Sequence, residues 1–242
     1  MQPFLYRLLS KIAPAKKQRR YWNKRYRLCK ISEQNDIRIS DNVLEHVELV
    51  IRGHDNKVDI GNIRFNPRGR LRIEIYGHNN NITIKDGVWC NFLNLTIGES
   101  YQNAPAAHNS LIMIGEGSTF QQTDIFTSHS NAQIMIGENC MFSYGVVIRH
   151  TDSHPIYELG SQKHINRVSA LKIGNHVWVG WHVSIWKNVH IADDCILGAH
   201  AVVAKSFHEP HCAIVGNPAR IIRRNIMWES AHTRDFIENK PD

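Results

Sequence analysis

Apolar positions recur with a period of six residues between positions 171 and 204. One column holds bulky aliphatic residues at every sixth position and comprises Ile173, Val179, Ile185, Ile191, Leu197 and Val203. A second column of smaller apolar residues keeps the same interval and comprises Val177, Val183, Val189, Cys195 and Ala201. Neither the period of a helix nor the alternation of a strand generates both columns. The pattern predicts a solenoid, in which each repeat buries its apolar side against its neighbours.

The repeat predicts a triangular coil of short strands. Each six-residue unit supplies one strand and one turn, so three units close a coil of about 18 residues. Glycines follow several aliphatic residues and relieve the backbone at the bends, as at Gly174, Gly180 and Gly198. Similar starts, an aliphatic residue followed mostly by Gly and an acidic or amide residue, recur less regularly at Ile60, Ile84, Ile97, Ile114 and Ile136. We expect a mainly β solenoid domain over residues 41–224.

A long polar insertion interrupts the solenoid at residues 149–170. It contains Arg-His-Thr-Asp-Ser-His-Pro-Ile-Tyr from Arg149 to Tyr157, and long insertions in compact domains are usually functional. His154 in this insertion is a candidate general base, because the ordinary pKa of histidine lies near neutral pH. Simple surface exposure is the alternative for one histidine in a chain that has fifteen. Asp152 either orients an imidazole or stabilises a turn.

The positive net charge of +7 belongs to the N-terminus. Residues 1–30 hold ten Lys and Arg and no Asp or Glu, which leaves a net charge of −3 for residues 31–242. Apolar residues at helical spacing predict a basic helical arm over residues 1–40, with Phe4, Leu5, Leu8, Leu9 and Ile12 on its apolar side. This arm either caps the exposed edge of the first coil or lies on an anionic membrane surface. The body gives no support for nucleic-acid binding.

The composition bears on the cellular location of the protein. Arg7 and Lys11 interrupt the apolar residues of the arm, which disfavours a signal peptide, and no apolar run approaches the ~18 residues that cross a bilayer. Cys90, Cys140 and Cys195 occupy small apolar positions of the repeat, as core residues of a reducing compartment do. We expect a cytoplasmic protein, at the inner face of the membrane if the arm binds lipid.

Residues 225–242 predict a short C-terminal helix folded back on the coil.

The chain resembles the hexapeptide-repeat acyltransferases, which are left-handed parallel β-helix enzymes that use acetyl-CoA. Four motifs in order carry the resemblance: Ser-His-Pro at 153–155, Val-Trp-Val-Gly at 177–180, Gly-Ala-His-Ala-Val-Val-Ala-Lys at 198–205 and Gly-Asn-Pro-Ala-Arg at 216–220. The resemblance is close over residues 136–224. The string from Thr151 to Tyr157 is most similar to O-acetyltransferases of capsular and cell-surface polysaccharides, including sialic-acid polymers.

The resemblance assigns catalytic and acceptor residues. His154 matches the catalytic base, which takes the proton of a sugar hydroxyl as that oxygen attacks the thioester directly. Trp178 matches a tryptophan beside the base, whose indole N–H would donate to the thioester or the oxyanion; a purely structural role at a turn is the alternative. Family members that acetylate small sugars hold the acceptor with an Asn, where this chain offers Thr123 or Asp124. Asp124 and Tyr157 are the candidate acceptor-binding residues.

The resemblance also implies acetyl-CoA as donor, no metal, and a homotrimer in which the loop 149–170 contacts a neighbouring subunit. The implied donor residues are Trp181 and Ala199 in the pantetheine groove, Ala204 and Lys205 near the nucleotide, and Arg220 and Arg223 at the CoA phosphates. Guanidinium groups suit phosphate binding, and a solvated basic tail is the alternative explanation of the two arginines.

We therefore expect an acetyl-CoA-dependent O-acetyltransferase that modifies a hydroxyl of a capsular or other surface polysaccharide. The first alternative is a small acceptor: a free sugar, a nucleotide-linked amino sugar or serine. A second is a zinc hydratase of the carbonic anhydrase type, which shares the left-handed helix. His182 and His200 keep that alternative open, since they are 18 residues apart and should stack on adjacent coils. A non-catalytic scaffold is disfavoured by the intact His-Pro loop and the Arg220 motif.

Overall fold

A computed structural model describes residues 29–230 apart from 33, 102, 103 and 105. Nearly all of its regular structure is β-strand. In chain order the strands are β1 (Cys29–Ile31), β2 (Asp36–Ile39), β3 (Val47–Arg52), β4 (Lys57–Ile60), β5 (Arg64–Tyr76), β6 (Asn81–Ile84), β7 (Trp89–Ile97), β8 (Leu111–Ile114), β9 (Thr119–Thr127), β10 (Gln133–Ile136), β11 (Met141–Phe142), β12 (Val146–Arg149), β13 (Ala170–Ile173), β14 (Trp178–Val179), β15 (Ser184–Trp186), β16 (His190–Ile191), β17 (Ile196–Leu197), β18 (Val202–Val203), β19 (Ala213–Val215) and β20 (Arg220–Arg223).

The strands stack in parallel into a solenoid with three faces. The first face is a seven-stranded sheet in the order β16-β13-β10-β8-β6-β4-β2. In the later coils the second face consists of β11, β14 and β17, and the third face consists of β12, β15 and β18. In the earlier coils one long strand bends around the corner between these two faces, so that β9 pairs with β11 at its start and with β12 towards its end. The last pair, β19 with β20, is antiparallel.

The six-residue columns form the core, as predicted. Every member of both columns is buried, with Ile173 the most exposed at 3%. The registers Trp178 with Ile196 and Ser184 with Val202 confirm the 18-residue coil. Since the inward column alternates with outward residues along each strand, the residues beside it stand on the outer surface.

A buried polar ladder lines the corner between the third and first faces in the early coils. Asn80 Nδ2 donates to Asn56 Oδ1 at 3.0 Å and to the Ala107 carbonyl at 2.9 Å. Asn80 Oδ1 accepts from the backbone N–H of Ser110 at 3.0 Å. Each amide thus satisfies backbone groups of the next coil, which is what buried polar groups require. The ladder fixes the corner at which, further along, the loop 149–170 leaves the solenoid.

The predicted helices at the two ends are not supported. Residues 1–28 of the arm and 231–242 of the tail lie outside the described residues. Within the described part, the segment predicted as arm already contains β1 and β2, because Ile37 and Ile39 alternate with polar residues as a paired strand requires. The only helix among the described residues is the 3-10 helix Asp41–His46. Residues 225–230 are not helical, although Trp228 does fold back on the coil.

The cysteines are core residues, as predicted. Cys90, Cys140 and Cys195 are buried free thiols. Burial raises the pKa of Cys90 to about 12 and that of Cys140 to about 11, so both stay protonated at neutral pH. Across the described residues, no helix has the length and apolar character needed to cross a membrane.

Candidate active site

The loop 149–170 joins β12 on the third face to β13 on the first face and projects from the corner between them. Its outer part is a hairpin in which Tyr157 bridges antiparallel to His164, and the Ile165 N–H donates to the Ile156 carbonyl at 2.9 Å. The hairpin exposes apolar side chains: Leu159 is 99% exposed and Ile156 49%. The loop is therefore an ordered projection that carries an exposed apolar surface.

The backbone of His154 is held on both sides while its imidazole remains exposed. Its N–H donates to the Asp152 carbonyl at 2.7 Å, and its carbonyl accepts from Asn166 Nδ2 at 2.9 Å. Ser153 turns the chain with a left-handed φ of 62°, and its hydroxyl accepts from Arg149 Nη2 at 3.0 Å. The predicted base thus lies at the fixed foot of the loop rather than on the projecting hairpin.

Asn166 organises this foot, and its importance is not apparent from the sequence. It is buried, and its Nδ2 also donates to Asp152 Oδ2 at 2.8 Å. Its Oδ1 accepts from the Ile156 N–H at 2.7 Å and contacts His164 Nε2 at 2.8 Å. Lys187, on the next coil, reaches Asp152 Oδ2 at 2.8 Å and the Asn166 carbonyl at 3.0 Å.

The electrostatics of the foot favour a charged Asp152. Partial burial raises the pKa of this carboxyl, but the hydrogen bonds from Lys187 and Asn166 outweigh it and hold the pKa below its usual value. Of the two roles that the sequence left open, the contacts of the Asp152 carboxylate fit the stabilisation of the loop. No contact to a catalytic imidazole is formed by this carboxylate in the described residues.

His150 is fully buried beneath the loop. Neither ring nitrogen has a hydrogen-bond partner among the described residues. Burial lowers the pKa of His150 to about 4, the backbone at Ser169 opposes this in part, and the nearby His129 and Lys187 lower the pKa further. The ring is therefore neutral at physiological pH and unsuited to act as a base at the surface.

Trp178 and His154 belong to different sides of the coil. It stands on the outer side of β14 on the second face, between Met141 and Ile196 of the adjacent coils. His154 follows β12 at the corner between the third and first faces, which is the corner opposite the second face. The nearest aromatic neighbour described for Trp178 is Trp228, with ring centroids 6.0 Å apart. One chain does not bring the two predicted catalytic residues together.

The predicted donor residues fall into two groups. Trp181 and Ala199 are exposed on successive coils at the corner between the second and third faces, and the His200 N–H donates to the Trp181 carbonyl at 2.7 Å. The Gly216 motif joins this group, since the Val202 N–H donates to the Gly216 carbonyl at 3.0 Å. Arg220 and Arg223 then begin and end β20, both exposed. Ala204 and Lys205 are exposed at the far end of the third face, after β18, with Lys205 Nζ 5.4 Å from the Phe207 ring centroid.

The candidate acceptor-binding residues differ in the direction and exposure of their side chains. Thr123 is 1% exposed and points into the core, whereas Asp124 faces outward on the third face. Asn94 Nδ2 donates to Asp124 Oδ1 at 2.5 Å. Tyr157 is 53% exposed on the hairpin.

A cleft of about 270 Å³ opens on the third face beside the loop foot. Its floor is one outward row of successive coils, in which Thr96 pairs with Phe126 and Phe126 pairs with Arg149. Ser153, which directly precedes His154, forms part of its wall. The sequence repeat does not reveal this cleft, because the row lies in the irregular early coils.

The histidines behind the hydratase alternative stack as predicted. The rings of His182 and His200 lie 5.1 Å apart at an interplanar angle of 25°. Within the described residues, no group of three or more His, Cys, Asp and Glu side chains is placed to hold a metal ion.

Comparison with known proteins gives consistent matches. The family described as bacterial transferase hexapeptide (six repeats) matches residues 171–205. A polysialic acid O-acetyltransferase of Neisseria meningitidis is 35% identical over 195 residues, which cover 80% of this chain and 85% of that protein. A polysialic acid O-acetyltransferase of Escherichia coli O1:K1 / APEC is 33% identical over 135 residues, 55% of this chain, and the match spans only 43% of the length of that protein.

Two solved structures share the fold. The crystal structure of the polySia specific acetyltransferase NeuO aligns with a TM-score of 0.60 and 26% identity, over 78% of this chain and 91% of that chain. The polysialic acid O-acetyltransferase OatWY aligns with a TM-score of 0.52 and 30% identity, over 86% of this chain and 92% of that chain.

Proposed function

The chain belongs to the hexapeptide-repeat acyltransferase family, and on that basis we propose that it transfers acetyl from acetyl-CoA to a hydroxyl of a surface polysaccharide. The match to the Neisseria meningitidis relative, a polysialic acid O-acetyltransferase, over 85% of its length carries the proposal. An acidic glycan of the sialic-acid type is the favoured acceptor. We expect the solenoid to wind in the left-handed sense of the family.

In this proposal His154 is the general base. Its exposed imidazole would take the proton of the acceptor hydroxyl as the oxygen attacks the thioester carbonyl, and thiol departure would follow without an acyl-enzyme intermediate. The backbone of His154 accepts a hydrogen bond from Asn166 and donates one to Asp152, which supports this role because a base acts efficiently only when it is held in place beside the reacting atoms. The indole N–H of Trp178 would stabilise the oxyanion.

The donor would lie along the corner between the second and third faces. Trp181 and Ala199 are exposed residues on adjacent coils, and the surface between them is a suitable track for an extended pantetheine arm. Arg220 and Arg223 supply guanidinium groups for the phosphates at the end of this track. Ala204 and Lys205 lie at a different corner of the solenoid from this track. They would therefore contact the nucleotide of a donor bound to a neighbouring subunit.

We propose a homotrimer in which each site is shared between subunits. His154 and Trp178 lie at a corner and on the face opposite it, so a site that contains both requires two chains. The exposed apolar hairpin fits a contact with a neighbouring subunit. Sedimentation checks this directly, because a monomer that persists at all concentrations contradicts it. We further propose a cytoplasmic location, with residues 1–30 as a cap or a peripheral membrane contact.

The function is tested by thiol release from acetyl-CoA with a panel of bacterial polysaccharides. We expect release that depends on an acidic glycan and falls about 10²-fold or more in His154→Ala. His208→Ala, which removes another exposed imidazole, should leave the rate unchanged. If small sugars, nucleotide-linked amino sugars or serine support turnover and no polymer does, the small-acceptor alternative replaces the polysaccharide. If release is insensitive to His154→Ala, this residue is not the base.

A further inference from the structure

The cleft on the third face combines aromatic rings with a cation beside the proposed base. Tyr76, Tyr101 and Phe126 contribute rings, and Arg149 and Ser153 lie at the end nearest His154. Binding sites for small ligands are typically apolar walls with a few placed polar groups. At about 270 Å³ the cleft is small, which suits one sugar ring rather than a long segment of polymer.

Arg149 is the unpaired cation of this cleft. Its guanidinium carbon lies 5.0 Å from the Phe126 ring centroid, and one nitrogen donates to Ser153 Oγ at 3.0 Å. Of the ion pairs formed among the described residues, none involves Arg149. A guanidinium has five N–H donors in a planar fork that matches a carboxylate. Most of this capacity is therefore available to a ligand, while the group itself packs over the Phe126 ring.

The two carboxylates of the cleft already have partners. Glu74 Oε1 accepts from Arg72 Nε at 3.1 Å, and the two side chains form an ion pair. Glu99 interacts with the Tyr101 hydroxyl, and this interaction is the main reason that the pKa of Tyr101 is raised. Among the described residues neither carboxylate forms an ion pair with Arg149, and their remaining lone pairs are suited to accept hydrogen bonds from sugar hydroxyls.

We propose that this cleft binds a carboxylate-bearing sugar of the acceptor glycan, with Arg149 as the anchor for its carboxylate. The inference rests on the proposed function, which it deepens by assigning the acceptor subsite. The bound sugar neighbours the sugar that reacts, since Arg149 bonds to the residue directly before His154. Arg149 thereby selects acidic over neutral polymers. It also determines which sugar of the bound glycan lies beside His154.

The test measures binding and turnover separately. The probes are a short sialic-acid oligomer and the same oligomer with its carboxyl groups reduced to alcohols, titrated calorimetrically. Arg149→Gln should weaken binding of the acidic oligomer about tenfold or more, because a charged hydrogen-bonding partner is lost. Arg149→Lys keeps the charge but not the forked guanidinium, so its affinity for the acidic oligomer should lie between those of Arg149→Gln and the unaltered protein. Lys172→Gln, which removes an exposed cation from the first face, should bind within about twofold of the unaltered protein.

The outcomes separate the two proposals. In acetylation assays, Arg149→Gln should raise the KM for the acidic acceptor while the KM for acetyl-CoA stays unchanged. Equal binding of the acidic oligomer by Arg149→Gln and the unaltered protein overturns the subsite, even if acetylation proceeds. Equal binding of acidic and reduced oligomers by the unaltered protein also overturns it. Arg149-dependent binding without any acetyl transfer supports the subsite and refutes the proposed enzyme activity. Unchanged thermal unfolding of the variants shows that they fold.

Discussion

Asn166 and Asp152 are joined by a hydrogen bond of 2.8 Å between Nδ2 and Oδ2 that closes the foot of the loop carrying His154. The two residues are 14 positions apart, so the bond brings both ends of the insertion together before the hairpin projects. Lys187 on the next coil bonds to the same carboxylate, which anchors the foot to the rigid solenoid. Although His154 belongs to a loop, these bonds hold its backbone in a fixed position relative to the solenoid.

Replacement of Asn166 should therefore reduce catalysis through position rather than chemistry. In Asn166→Ala the carbonyl of His154 and the N–H of Ile156 lose their partner, so the proposed base drifts from its place. We expect kcat to fall about 10²-fold, with little change in the KM for acetyl-CoA. Steady-state kinetics with the purified variant provide the measurement.

Lys163→Ala is the matched control, because Lys163 is exposed on the same hairpin. It should retain the unaltered kcat, and proteolysis of the hairpin should accelerate only in Asn166→Ala. A kcat that is unchanged in Asn166→Ala would refute the positioning role.

Buried His150 should make the folded state sensitive to acid. Its pKa of about 4 lies below the ordinary value of 6.5, so the unfolded chain binds the additional proton between these values. The free energy of unfolding should hence fall as pH drops from about 6.5 to 4, by about 3 kcal/mol from this group alone, and not change on its account above that range. Urea unfolding at several pH values measures the effect.

His150→Leu should flatten this dependence, whatever its stability at neutral pH. His208→Ala, which removes an exposed histidine, should keep the acid slope of the unaltered protein. An unchanged slope in His150→Leu would mean that other groups cause the acid sensitivity.

A shared site predicts complementation between two inactive variants. His154→Ala and Trp178→Ala should each lose acetyl transfer as separate homo-oligomers. Co-expressed with random assembly, about a quarter of the sites combine an intact His154 with an intact Trp178 from the adjacent chain. We expect that fraction of the unaltered activity, measured as acceptor-dependent thiol release. A double variant mixed with an inactive single variant is the control and should stay inactive. A mixture without activity indicates that both residues act within one chain. A Trp178→Ala variant that keeps its activity would show instead that the tryptophan is dispensable.

The sequence predicts the solenoid well where the repeat is strict. Residues 171–204 reveal both core columns, because each short strand buries one residue type at one position. The earlier coils are less regular since β5, β7 and β9 run around a corner as long strands, and the third-face cleft lies there. Asn166 has no sequence signal, because a single Asn in a polar insertion belongs to no periodic pattern. Its role depends on contacts with residues far along the chain.

The ends show why local patterns mislead. Apolar residues around Trp228 predict a helix, but the described part of that segment, residues 225–230, is irregular. Trp228 is stabilised by tertiary contacts: its indole Nε1 donates to the His176 carbonyl at 2.9 Å and its ring stacks on His176 at 4.1 Å between centroids. Packing of one large side chain here outweighs the weak helical propensity of a few residues.

Trp228 should consequently hold the C-terminal segment on the second face. The side chain is 6% exposed, so Trp228→Ala should lower the free energy of unfolding by about 3 kcal/mol, the usual order for loss of a buried aromatic residue. Trp228→Phe keeps a ring for stacking but loses the N–H donor, and should cost about 1 kcal/mol for the hydrogen bond in addition to its smaller ring. Met227→Ala, at a neighbour that is 72% exposed, should change little. Urea unfolding at one fixed protein concentration makes the values comparable, since oligomers gain stability with concentration. Equal losses in Trp228→Ala and Met227→Ala would show that the segment is not anchored by the indole.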